Sequence, residues 1–175
     1  MKSTVSMIAG VAVAAVMGST AFAGETKAGA ECFAPMSSYS DGMPAVEGFE
    51  SLDAEKRIVE TTMAFRKAMS AAEESQACYE SAIEGAEGEE LAALQSGAEE
   101  SSRIFAQVQA EFGAALDEMS GDVLTDVAPA AGADTQAAAE EQSVAGMELL
   151  FDSYMALERS QDVSKRLAMA ASKGK

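Results

Sequence analysis

Cys32 and Cys78 are the residues with the most chemistry to offer, and their surroundings narrow what that chemistry is. A thiol acts as a nucleophile or a metal ligand only as thiolate, and Glu73, Glu74 and Glu80 around Cys78 disfavour that charge. No base stands ready to help, because the chain has no histidine. That absence also removes Ser–His and Cys–His dyads, c-type haem attachment, the Glu-x-x-His di-iron site of helical bundles and most zinc sites. Ser172 and Lys175 have Ser-x-x-Lys spacing, but in a terminal tail that cannot hold a geometry. The oxygen-rich cluster Glu84, Glu87, Glu89 and Glu90 suits a hard cation such as calcium, without the twelve-residue EF-hand spacing. Thioethers can take Cu(I), yet the methionines are dispersed, and Met69, Met119 and Met147 fall on apolar seams where they fill a core. The expectation is therefore no catalytic residue, no cofactor and no dedicated metal site: not an enzyme. A weak carrier of calcium, copper or a small ligand is the alternative.

The two cysteines gain a different meaning from the first residues of the chain. Lys2 is a positive start, Val5–Met17 is a continuous apolar or small run, and Ala21-Phe22-Ala23 is a small-x-small cleavage motif. This is the layout of a secretory signal peptide, with an apolar run too short to anchor in a bilayer. Residues 1–23 are expected to be removed, leaving Gly24–Lys175 in the periplasm or the medium, not inserted in a membrane. There an even pair of cysteines reads as a disulfide. The net charge is −17, and loss of Lys2 with the leader takes it to −18. Between Ala68 and Glu158 the one basic residue, Arg103, faces twenty carboxylates, whereas Arg159–Lys175 carries five basic residues against Asp162 alone. So acidic a body repels nucleic acid and anionic lipid.

Helix formers dominate, β-branched residues are scarce, and the expected class is all-α. Ile58, Thr62, Phe65, Met69, Ala72, Gln76, Tyr79 and Ile83 recur at alternating spacings of four and three. After Glu84–Gly88, a glycine-punctuated loop, the rhythm restarts as Leu91, Leu94, Ala98, Ser101, Phe105, Val108, Phe112, Ala115 and Met119. Two such seams joined by a tight loop predict an antiparallel helical hairpin over 51–120, capped by Ser51 and ended at Gly121. Residues 121–134, with Pro129 and Gly132, form the expected linker. A third long helix with a basic tail is expected over 135–175, capped by Asp134. Its weaker seam is Val144, Met147, Leu150, Phe151, Tyr154 and Leu157, then Gln161, Ser164 and Leu167. Packed on the hairpin it makes an up-down-up bundle, which sets the basic tail beside the acidic loop. Residues 24–50, with Gly29, Pro35, Asp41-Gly42 and Pro44, read as a disordered or turn-rich N-terminal arm.

On the first helix a second stripe, Ala64, Ala68, Ala71, Ser75, Cys78 and Ala82, is made of small residues. It forms a groove in which the arm can lie, bringing Cys32 to Cys78. The ordered features Cys32 and Pro35, Asp41-Gly42, and a helix carrying Cys78 beside Tyr79 are similar to small exported helical-hairpin proteins of unknown function from Gram-negative bacteria. The resemblance spans Cys32 to Met119 and leaves the third helix outside. It implies a periplasmic, disulfide-tied hairpin with no catalytic residues to carry over. Two good seams without catalytic groups predict an interaction or structural module of the cell envelope. Its partner is expected to be another protein or a second copy of the chain.

Overall fold

The computed structural model describes residues 26–125 and 133–173, with side chains over 26–121 and 144–173. The expected leader, residues 1–23, lies outside the described residues, as does 126–132 of the expected linker. Four helices make up the described chain: α1 (Lys27–Ser37), α2 (Ala54–Ile83), α3 (Gly88–Thr125) and α4 (Ala133–Ser172). There is no strand among the described residues.

The hairpin is built on the two expected seams. Ile58, Phe65, Ala72, Tyr79 and Ile83 of α2 are buried, as are Leu94, Ala98, Ser101, Phe105, Val108, Phe112 and Met119 of α3. Phe65 stacks on Phe112 with ring centroids 4.0 Å apart, and on Phe105 at 6.4 Å. The turn between the helices needs Gly85 at φ +101° and Gly88 at φ +61°, a region side-chain-bearing residues avoid. At 1.5 Å per residue the helices run about 45 Å and 57 Å.

Three boundaries differ from expectation. Asp53, not Ser51, caps α2, its carboxylate accepting from the Lys56 backbone N–H at 2.9 Å. Ser51 instead closes a single 3₁₀ turn, Phe49–Ser51. Arg57 clamps that turn to α2: its Nε donates to the Leu52 carbonyl at 2.9 Å and its guanidinium lies 5.3 Å over the Phe49 ring. Helix α3 passes through Ser120-Gly121 to Thr125, and Gly121 does not take the left-handed conformation. One glycine costs a helix about 1 kcal/mol against alanine, and a helix this long absorbs it. Helix α4 begins at Ala133, so Asp134 lies within it.

The arm is turn-rich only in its second half. Lys27–Ser37 is helical because its two breakers sit at the ends. Gly29 is in the first turn, where the Thr26 hydroxyl accepts its N–H at 3.1 Å, and Pro35 is in the last. Cys32 and Met36, one turn apart, bury one face of α1 against α2 and α3.

Helix α4 runs parallel to α2 and antiparallel to α3. Thr62 of α2 meets Ser153, and from α3 Asp117 meets Tyr154, Gln109 meets Ser160, and Gln95 meets Lys173. The bundle is therefore up-down-up, with α1 laid on the hairpin. As expected, the basic tail returns to the acidic loop, where Lys173 Nζ lies 3.8 Å from Glu84.

Candidate interaction site

Two places carry the residues that sequence reasoning singled out. The first is the clasp on α2. Cys32 and Cys78 form a disulfide, with their Cα atoms 5.2 Å apart. The small-residue stripe does receive the arm: Ala68 and Ser75 are buried, and Ala71, Cys78 and Ala82 pack against the cluster that holds Cys32 and Met36. Ser75 is central. Its hydroxyl donates to the Cys32 carbonyl at 2.8 Å, satisfying a buried acceptor of α1, and lies 3.3 Å from the Ser101 hydroxyl on α3.

A second latch, invisible in the sequence pattern, holds the turn after α1. Glu111 reaches from α3 to accept the Met43 backbone N–H at 2.6 Å, while Gln107 donates to its other oxygen at 2.9 Å. Buried Gly42, at φ +99°, lies against that carboxylate, and a side chain there would collide with it. Its sequence trace is only Asp41-Gly42, which reads as a generic turn.

The other place is α4, whose inner face differs from the expected seam. Leu150 and Leu167 are buried and Leu157 is half-buried, but Val144, Met147, Phe151 and Tyr154 are not. Val144 is 64% exposed, Met147 55%, Phe151 65% and Tyr154 39%. Met147 is thus no core filler, unlike Met119, which is buried. Small and polar residues take the inner line instead: Gly146, Ser153, Ala156 and Ser160, with Val163 and Ala170. Ser153 and Thr62 share a hydrogen bond at 2.7 Å. Gln109 of α3 donates to Ser160 at 2.6 Å and accepts from Ser164 at 2.7 Å. Close approach and hydrogen bonding seat this helix together with the few aliphatic side chains it buries, Leu150, Val163 and Leu167. The sequence reading merged two stripes, because leucines of the inner line alternate with aromatic residues of the outer one.

The outer stripe has acidic surroundings. The Tyr154 hydroxyl donates to Asp117 Oδ1 at 2.8 Å, and that hydrogen bond, helped by burial, raises the phenol above its ordinary pKa. Glu148 lies one turn from both Val144 and Phe151, and Glu158 one turn beyond Tyr154.

The acidic loop does not gather into a site: Glu84, Glu87, Glu89 and Glu90 are all exposed. Among the described residues no three His, Cys, Asp or Glu side chains converge on one point. The concavity between α2 and α4 is an open groove with Glu73, Gln76, Glu80, Arg159, Asp162 and Arg166 on its walls. No helix among the described residues is long and apolar enough to cross a membrane. No protein-family model matches the chain, and no curated protein or solved structure matches it either.

Proposed function

We propose that the chain is an exported, non-catalytic helical module that docks another protein of the cell envelope on the outer face of α4. One observation carries this reading: Val144, Met147 and Phe151, with Tyr154 at the edge toward α3, repeat at spacings of three, four and three, and among the described residues the first three stay more than half exposed. That is the pattern of a coiled-coil seam without its second strand. Leaving the Phe151 ring and the Met147 side chain mostly in water gives the isolated fold little, and contiguous exposed apolar surface marks interaction sites. Met147 and Phe151 are also residue types enriched in interface cores. Export is supported by the leader-like residues 1–23 and by the Cys32–Cys78 disulfide, which belongs to an oxidising compartment. The absence of histidine supports a binding role over a catalytic one.

Site-directed photocrosslinking tests the proposal. A photoreactive residue at position 151, in protein exported by its native host, is expected to give a discrete adduct with another polypeptide. The same residue at exposed Glu60 or Ser70 is expected to give none. Equal, diffuse labelling at all three positions contradicts it.

A further inference from the structure

Resting on that docking reading, we infer that the partner is a cationic amphipathic helix, apolar on one face and flanked by Lys or Arg. The stripe fixes the shape. From Val144 to Tyr154 it extends about 15 Å at 1.5 Å per residue, matching some three turns of a facing helix in heptad register. The rim fixes the charge. Glu148 and Glu158 are exposed beside or in line with the stripe on α4 itself, and Asp117 borders it from α3. No Lys or Arg occurs on α4 before Arg159, nor on α3 after Arg103. The cations of α2 at this height, Lys56, Arg57, Arg66 and Lys67, belong to the helix that meets α4 through Ser153, whereas the edge toward α3 carries carboxylates, and in coiled coils the charges flanking a seam select its partner.

The same rim argues against two other occupants. A second copy brings the same carboxylates against these across the seam, between bodies each of charge −17 before loss of the leader. Like charges across an interface suppress such pairing. An anionic lipid surface is repelled for the same reason. A helix with Lys or Arg beside its apolar face gains on both counts, by burying its apolar residues on Met147 and Phe151 and by neutralising the rim.

Two synthetic helical peptides with identical apolar positions test the inference, one carrying Lys at the flanking positions and the other Glu. Each is titrated with the full mature protein and followed by fluorescence anisotropy. The Lys peptide is expected to bind saturably, and about tenfold or more tighter than the Glu peptide. Phe151→Ser with Met147→Ser is expected to abolish binding, while Glu148→Gln with Glu158→Gln weakens it and reduces its dependence on salt. If both peptides bind equally and both are lost in the serine variant, docking stands and the cationic partner is wrong. If neither binds but the residue at position 151 still crosslinks another polypeptide, the same conclusion holds. Lys-peptide binding that survives the serine variant is mere charge attraction and overturns the inference. A concentration-dependent dimer in sedimentation, dispersed by Phe151→Ser, makes a second copy the occupant. No binding together with no crosslink removes both readings.

Discussion

Tyr79 is the residue on which the core makes its least comfortable arrangement. Its ring is fully buried in the cluster that also holds Cys32 and Leu167, and among the described residues its hydroxyl has no hydrogen-bond partner. Burial pushes the phenol above its ordinary pKa. The folded state thus holds this proton more tightly than the unfolded chain. Its share of stability is complete below the ordinary tyrosine pKa of about 10 and is lost as pH rises through the folded value. Tyr79→Phe removes an unsatisfied buried group at little cost in packing. It is expected to raise stability by about 1 kcal/mol in denaturant melts at neutral pH, and to flatten the alkaline limb of the pH profile. Destabilisation by that much would mean that the hydroxyl bonds a group such as Ser101. Gly97 supplies a second check, because a Cβ there would lie 2.5 Å from the Tyr79 hydroxyl. Gly97→Ala should destabilise the native chain, and less so in the Tyr79→Phe background, where the clash with the hydroxyl is gone and only the tight 3.2 Å approach to the ring carbons remains.

At the scale of the elements, the helices were legible in proportion to how much of their burial is apolar. Both hairpin seams are readable because Phe65, Phe105, Phe112 and the aliphatic residues between them carry the packing. Phe105→Ala is accordingly expected to cost about 3–5 kcal/mol in chemical denaturation, since its ring is fully buried. Helix α4 misled because it buries Ser153, Ser160 and Gly146 while exposing Phe151, so hydropathy points to the wrong face. Three-dimensional fit, which periodicity cannot contain, decides which stripe turns inward. Helix α1 was hidden by Pro35 and Gly29, whose positions near its ends are harmless and whose stabilisation comes from contacts distant in sequence. The pairing of its cysteine was nonetheless visible, because the leader-like pattern of residues 1–23 and the small-residue stripe on α2 both point to a disulfide with Cys78. The Glu111 latch left no periodic trace at all. Since α4 is seated largely by hydrogen bonds and small contacts, its amides are expected to exchange with deuterium faster than those of α2 and α3. Equal protection across all three helices would contradict that account of its packing.

The whole molecule is a hairpin core with two attachments of different kinds, a short helix held covalently and a long one held by fit. The disulfide spans 46 residues, and closing such a loop restricts the unfolded chain by about 4 kcal/mol in the entropy model. Reduction, or Cys78→Ser, is expected to expose Lys27–Ser37 to proteases while most of the helical circular dichroism persists. Global unfolding on reduction would show that α1 is part of the core rather than an attachment. The claim on which the functional reading rests is that Met147 and Phe151, at the centre of the apolar stripe of α4, face outward and contribute little to the fold. Thermal unfolding of a Met147→Gln, Phe151→Gln double variant, which removes the apolar surface without adding charge to an already acidic face, tests it directly. A free stripe predicts a stability within about 0.5 kcal/mol of the native chain and an unchanged circular dichroism spectrum. A loss of several kcal/mol, the size expected when large apolar side chains are removed from a core, would place Met147 and Phe151 inside the bundle and contradict the account.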